Sequence, residues 1–121
     1  MRALINEVRE ALQSVGAVGV IVFDGDSQEM FRIGSLAAIQ QRGLFSALFG
    51  GPAEVARLRQ SLEGQLLPQI WSQGGADCFV STLPNGVVYG VFSERPLDPT
   101  ELYHASKAAA EAVEEPLRRL Q

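Results

Sequence analysis

Apolar positions change period three times along the chain, and the changes mark its elements. Leu4, Ile5, Val8, Leu12 and Val15 fall on one helical stripe, with Arg2, Glu7, Arg9 and Glu10 mostly off it, which predicts a helix over about residues 2–14. Ala17 to Asp24 is a continuous β-branched run, suited to a central strand covered on both sides. Asp24-Gly25-Asp26-Ser27 has turn chemistry, and Glu29 to Gly34 returns as a second strand. Its faces differ, Phe31 and Ile33 on one and Met30 and Arg32 on the other, which suits a place near an edge.

From Leu36 to Leu62 the period is helical. Leu44, Phe45, Leu48, Val55, Leu58 and Leu62 keep one register across Gly50-Gly51-Pro52. Proline needs a first-turn position or a kink, so the expectation is one principal helix over about 43–62, kinked or restarted near 52. Residues 35–42 read as an extra helical turn or a loop. Gln69 to Gln73 is a short strand with polar residues interleaved, and Pro68 before it suits an edge. After a Gly74-Gly75 turn, Asp77–Leu83 and Val87–Ser93 are strands apolar on both faces, joined at Pro84-Asn85-Gly86. The last helix has the clearest start: Asp98 as N-cap, Pro99 in the first position and Glu101 three residues after the cap. Leu97 and Leu102 form a candidate staple. Leu102, Ser106, Ala109, Val113, Leu117 and Leu120 make its inner face, and Pro116 is expected to kink or loosen its final turn.

The order is α-β-β-α-β-β-β-α, an α+β arrangement. Hairpin connections make its five-stranded sheet antiparallel. Central strands apolar on both faces need cover on both, so the first and last helices take one face and the middle helix the other.

Composition narrows the class. The 121 residues suit one domain with a single core. A net charge of −4 argues against nucleic acid and against a polybasic membrane anchor. No apolar run approaches the ~20 residues of a bilayer span, and the acidic amphipathic start is not a signal peptide. The expectation from these features is a cytoplasmic chain with no membrane insertion. The lone Cys78, mid-strand among apolar residues, reads as a buried small hydrophobe.

Catalytic signatures are missing. His104 is the lone histidine, in the first turn of the last helix, with no orienting partner in view. One His and one Cys exclude a zinc site of the usual spacing. The glycines fit neither a dinucleotide fingerprint nor a phosphate loop, and there is no nucleophile elbow. Asp24, Asp26 and Glu29 lack the glycine and glutamate spacing of a calcium loop. The expectation is therefore a protein that is not an enzyme, with no catalytic residues, metal or cofactor. What remains is interaction chemistry. Trp71, on the least buried strand, is either tucked under the middle helix or part of a subunit contact. Leu44, Phe45, Leu48 and Phe49 span a wider arc of that helix than one sheet needs, which suggests a second copy against it.

With these side chains the chain resembles the roadblock/LC7 family, including its bacterial MglB-type members. The carrying features are the Leu4–Val15 helix leading into Gly16-Ala17-Val18-Gly19-Val20-Ile21-Val22-Phe23-Asp24, the middle helix from Leu44-Phe45-Ser46-Ala47-Leu48, and the strands closed by Pro84-Asn85-Gly86-Val87-Val88-Tyr89-Gly90-Val91-Phe92. The resemblance covers nearly the whole chain. It implies a profilin/roadblock-like five-stranded sheet, homodimerisation through the middle helix and the third strand, and a scaffold for a Ras-like small GTPase. Carried over, the dimer interface would be Leu44, Leu48, Val55, Leu58 and Leu62 with Gln69, Ile70 and Trp71. Gly50-Gly51-Pro52 interrupts that helix and Pro68 shortens that strand. The alternative is a ligand-sensing module of the PAS, GAF or profilin-like kind, which needs an internal pocket.

Overall fold

The computed structural model describes residues 2–15, 17–34, 43–65, 68–73, 76–93 and 98–119. Helix α1 spans Arg2–Val15, strand β1 Gly19–Phe23 and strand β2 Glu29–Gly34. Two short helices follow, α2 over Leu44–Phe49 and α3 over Pro52–Ser61. Strands β3 (Gln69–Gln73), β4 (Ala76–Thr82) and β5 (Val88–Ser93) precede the long helix α4, Pro99–Leu117.

All strand pairs are antiparallel and the sheet order is β2-β1-β5-β4-β3. The two strands with a polar component, β2 and β3, are the edges, as their patterns predict. The doubly apolar strands β1 and β5 lie inside, with every residue of both buried.

The sheet has two separate cores. On one face α2 and α3 place Phe45, Leu48, Phe49, Val55, Leu58 and Leu62 over Ile21, Phe23, Cys78, Val80, Val88 and Phe92. On the other, α1 and α4 cover Val20, Val22, Phe31, Ile33, Phe79, Leu83, Tyr89 and Val91 with Val8, Leu12, Ala109, Val113 and Leu117. The predicted layering and the predicted faces of β4 and β5 are both present. Full burial of one such side chain stabilises the fold by roughly 1.5–3 kcal/mol. Gly90 lets the first core close: a Cβ there would stand 2.6 Å from Phe49 Cζ.

The middle helix is restarted, not continuous. Proline lacks an N–H and its ring clashes with the carbonyl four residues back, so α2 stops at Phe49 and Pro52 opens α3 at a first-turn position. Both half-helices turn apolar residues to the sheet, Phe45, Leu48 and Phe49 from α2 and Val55 and Leu58 from α3. Helix α4 starts on a complete capping box: the Asp98 carboxylate accepts from the Glu101 N–H at 2.8 Å and Glu101 accepts from the Asp98 N–H at 3.2 Å. It continues through Pro116, which sits buried in the last turn without ending the helix early. The expectations for residues 35–42, Gly16, Gly74-Gly75, the Leu97 staple and Leu120 lie outside the described residues. No helix among the described residues is long and apolar enough to cross a membrane.

Candidate interaction surface

Strand β3 pairs only with β4, so its outer edge has no partner among the described residues. Backbone N–H and C=O groups on such an edge are a template for another strand. Two of the three large apolar side chains exposed among the described residues sit on it, Ile70 at 39% and Trp71 at 41%. Their pairing partners show that they point to opposite faces. Trp71 lies opposite Cys78, on the α2/α3 face, and Ile70 opposite Phe79, on the α1/α4 face.

Polar side chains hold the strand in place. Trp71 Nε1 donates to Gln69 Oε1 at 3.0 Å, and Gln69 Nε2 donates to the Ser61 carbonyl at the end of α3 at 3.2 Å. Ser72 donates to Asp77 on β4. The Trp71 ring borders a groove of about 180 Å³ between β3 and the two half-helices, with Ala47, Leu48, Leu58 and Ser61 along it. Glu54 and Arg57, paired at 3.0 Å, also line it. This pair is largely solvated and adds little energy. Trp71 is thus neither wholly tucked under the middle helix nor wholly free: it lines the groove and is 41% exposed.

The helix part of the sequence-derived interface is different. Leu48, Val55, Leu58 and Leu62 are each 5% exposed or less and lie in the protomer's own core. Among the described side chains, the surplus apolar surface expected of the middle helix is therefore not there. The break at Gly50-Gly51 lets α2 and α3 both aim inward, and Phe45 and Phe49 are taken up by ring contacts with Phe23 and Phe92 at 5.4–6.1 Å. The side chain of Leu44 lies outside the described residues. Of the seven whose side chains are described, Gln69, Ile70 and Trp71 lie along the edge, while Leu48 and Leu58 form the buried floor of the groove.

The opposite edge carries an open cleft of about 520 Å³ between β2 and the α2–α3 junction, walled by Phe23, Phe45, Phe49, Arg32 and Gly50-Gly51. Arg32 forks onto Glu29 and stands 5.0 Å over the Phe45 ring. Its hydrogen bonds hold the Glu29 carboxyl below the usual carboxylate range. Burial, then the Asp77 charge, pushes the Cys78 thiol up, which suppresses the thiolate. His104 is exposed beside the Tyr103 ring. Among the described residues no three His, Cys, Asp or Glu side chains gather as metal ligands.

The arrangement as a whole matches solved structures. Myxococcus xanthus MglB superposes with a TM-score of 0.57 at 17% identity, covering 92% of this chain and 91% of that one. The chain has the MglB fold. The gliding protein MglB of Thermus thermophilus agrees, with a TM-score of 0.57, 15% identity and coverage of 95% and 88%. A further structure, described as MglB with a tetrameric arrangement, gives 0.55 at 15% identity over 95% and 90%. No protein-family model matches the sequence, and no curated protein matches it. The MglB fold is thus conveyed by element order and layering, at an identity too low to transfer any residue's role.

Sequence reasoning missed Arg59. It reads as one more polar residue on α3, yet its guanidinium reaches two turns far away in sequence. Only its place next to Leu58 on the helix hinted at a half-buried position.

Proposed function

We propose that this chain is a single roadblock/LC7-like domain acting as a non-enzymatic, homodimeric adaptor or regulator of a Ras-like small GTPase. The match to MglB structures over about nine tenths of both chains carries this reading. Supporting it is the outer β3 edge, unpaired among the described residues, where Ile70 and Trp71 leave large apolar surface in water. Two copies meeting edge to edge would extend the sheet and cover both side chains. Leu48 and Leu58 are buried in the protomer and reach the contact only as the floor of the groove. The dimer contact is Gln69, Ile70 and Trp71, with the groove beside them.

Light scattering across micromolar concentrations tests the dimer. Twice the monomer mass is expected for the native chain and the monomer mass for Ile70→Lys with Trp71→Arg. Retention of GTP- or GDP-loaded Ras-like GTPases on the immobilised protein tests the partner. A native chain that stays monomeric at those concentrations overturns the first claim, and absence of any retained GTPase the second.

The cleft beside β2 favours one other reading, a ligand-sensing module. Both cores are filled by side chains, so a ligand would have to sit in that open cleft. A metabolite that raises the melting temperature, with the effect lost in Arg32→Ala, would favour it.

A further inference from the structure

Helix α3 turns Val55 and Leu58 to the sheet, with Leu62 just past its end, and Arg59 leaves it sideways toward the end of the sheet that holds two hairpin turns. One is the Asp24–Gln28 turn between β1 and β2, closed by the Ser27 N–H on the Asp24 carbonyl at 3.0 Å. The other is the Leu83–Val87 turn between β4 and β5, closed by the Gly86 N–H on the Leu83 carbonyl at 2.9 Å. Arg59 reaches both. Its Nη1 donates to Ser27 Oγ at 2.6 Å, and its Nη2 donates to the Asp24 carbonyl at 2.7 Å and the Gly86 carbonyl at 3.3 Å. The turns also touch each other, since a Cβ on Gly86 would lie 3.3 Å from Gly25 Cα.

We infer that Arg59 is a latch that joins α3 and these two turns into one unit that opens and closes together. A rigid planar fork can bridge three acceptors on two segments, which a lysine cannot do. Two features make it a latch more than a permanent staple. Among the described residues the guanidinium has no carboxylate partner, and its Nε is buried with no acceptor at all. A charge held by neutral oxygens with one N–H unpaired is held less firmly than one saturated by a carboxylate. On the turn side, Ser27 sits at φ 64°, in the left-handed region that β-carbon-bearing residues rarely adopt, with its hydroxyl buried against the cation. Losing the latch removes part of what holds Ser27 there. Helix α3 also lends Leu58 and Ser61 to the groove beside Trp71, so the helix that holds both turns is the one a partner at that groove would press on.

Amide hydrogen exchange on the full chain tests the coupling. In Arg59→Met, exchange at Ser27 and Gly86 is expected to rise together by about tenfold or more relative to Val20 and Val91 in the sheet centre. Ser27→Ala removes one acceptor on one turn. Its exchange is expected to rise at Gly86, on the other turn, as well as locally. Arg59→Lys should resemble Arg59→Met, because the charge alone cannot span three acceptors. If Ser27→Ala loosens only its own turn, the unit does not exist. Turn amides in Arg59→Met that move no more than the sheet amides overturn the latch outright. Should Arg59→Met fail to fold, the cross-turn response of Ser27→Ala decides by itself.

Discussion

Tyr89, on the central strand β5, donates its hydroxyl hydrogen bond to the Glu114 carboxylate on α4. The bond ties the middle of the sheet to the last helix where Arg118 also pairs with Glu114 at 3.3 Å. Tyr89→Phe removes the donor and leaves a half-buried carboxylate with one partner fewer. A loss of about 1–2 kcal/mol in urea denaturation is expected, toward the low side for a charged hydrogen bond because Arg118 remains. Glu114→Gln keeps an acceptor and should cost less.

The same tyrosine and Cys78 set the alkaline limit. Burial, helped by Glu114, raises the Tyr89 pKa, and burial with the Asp77 charge raises that of Cys78. Both groups stay neutral in the fold and ionise more easily once unfolded. Their contribution is therefore complete below the unfolded thiol value of about 8.5 and declines as pH rises past it, with the tyrosine adding its share above about 10. Stability measured from about pH 7 to 11 should fall in two stages. Cys78→Ala should remove the first stage and Tyr89→Phe the second.

Gly90 is a packing constraint, not a turn. A β-carbon there would meet Phe49 Cζ at 2.6 Å and Cys78 Sγ at 3.1 Å. Gly90→Ala should cost about 1–3 kcal/mol through forced movement of the ring. Combining it with Phe49→Leu should recover part of that loss, a non-additivity that a thermal double-mutant cycle reads directly.

Core and edge residues of the expected interface should now behave differently. Leu48→Asp places a carboxylate at a 3% exposed site and should unfold the protomer. Ile70→Lys should leave circular dichroism and melting temperature nearly unchanged while lowering the mass seen by light scattering.

At the start of α4, Asp98→Ala breaks the reciprocal cap with Glu101 and should cost about 1 kcal/mol, read as a lower denaturation midpoint with an unchanged slope.

Much of this fold is legible from sequence because its signals are local. The α4 cap depends on residues three apart. The alternating faces of β4 and β5 follow from a period of two, and the edge character of β3 from Pro68 and interleaved glutamines. The middle helix misled because an apolar arc counts side chains without saying where each half of a broken helix turns. Gly50-Gly51-Pro52 was visible as a breaker, but its consequence, that Phe45, Leu48 and Phe49 all reach the sheet, depends on the width of the space above Phe23 and Phe92. Arg59 was invisible for a related reason: its partners Asp24, Ser27 and Gly86 are 27–35 residues away and meet it only after the sheet has formed.

The chain alone determined which segments become helices and strands, where the last helix starts, and which side of each strand is greasy, since backbone sterics and side-chain period act over a few residues. Only the tertiary structure decided which apolar residues are left over. Burial belongs to pairs of surfaces, and the second surface is supplied by distant parts of the chain. Hence Leu48, Val55, Leu58 and Leu62, offered for a partner, went into the protomer's own core, and Ile70 and Trp71 on the open strand remained.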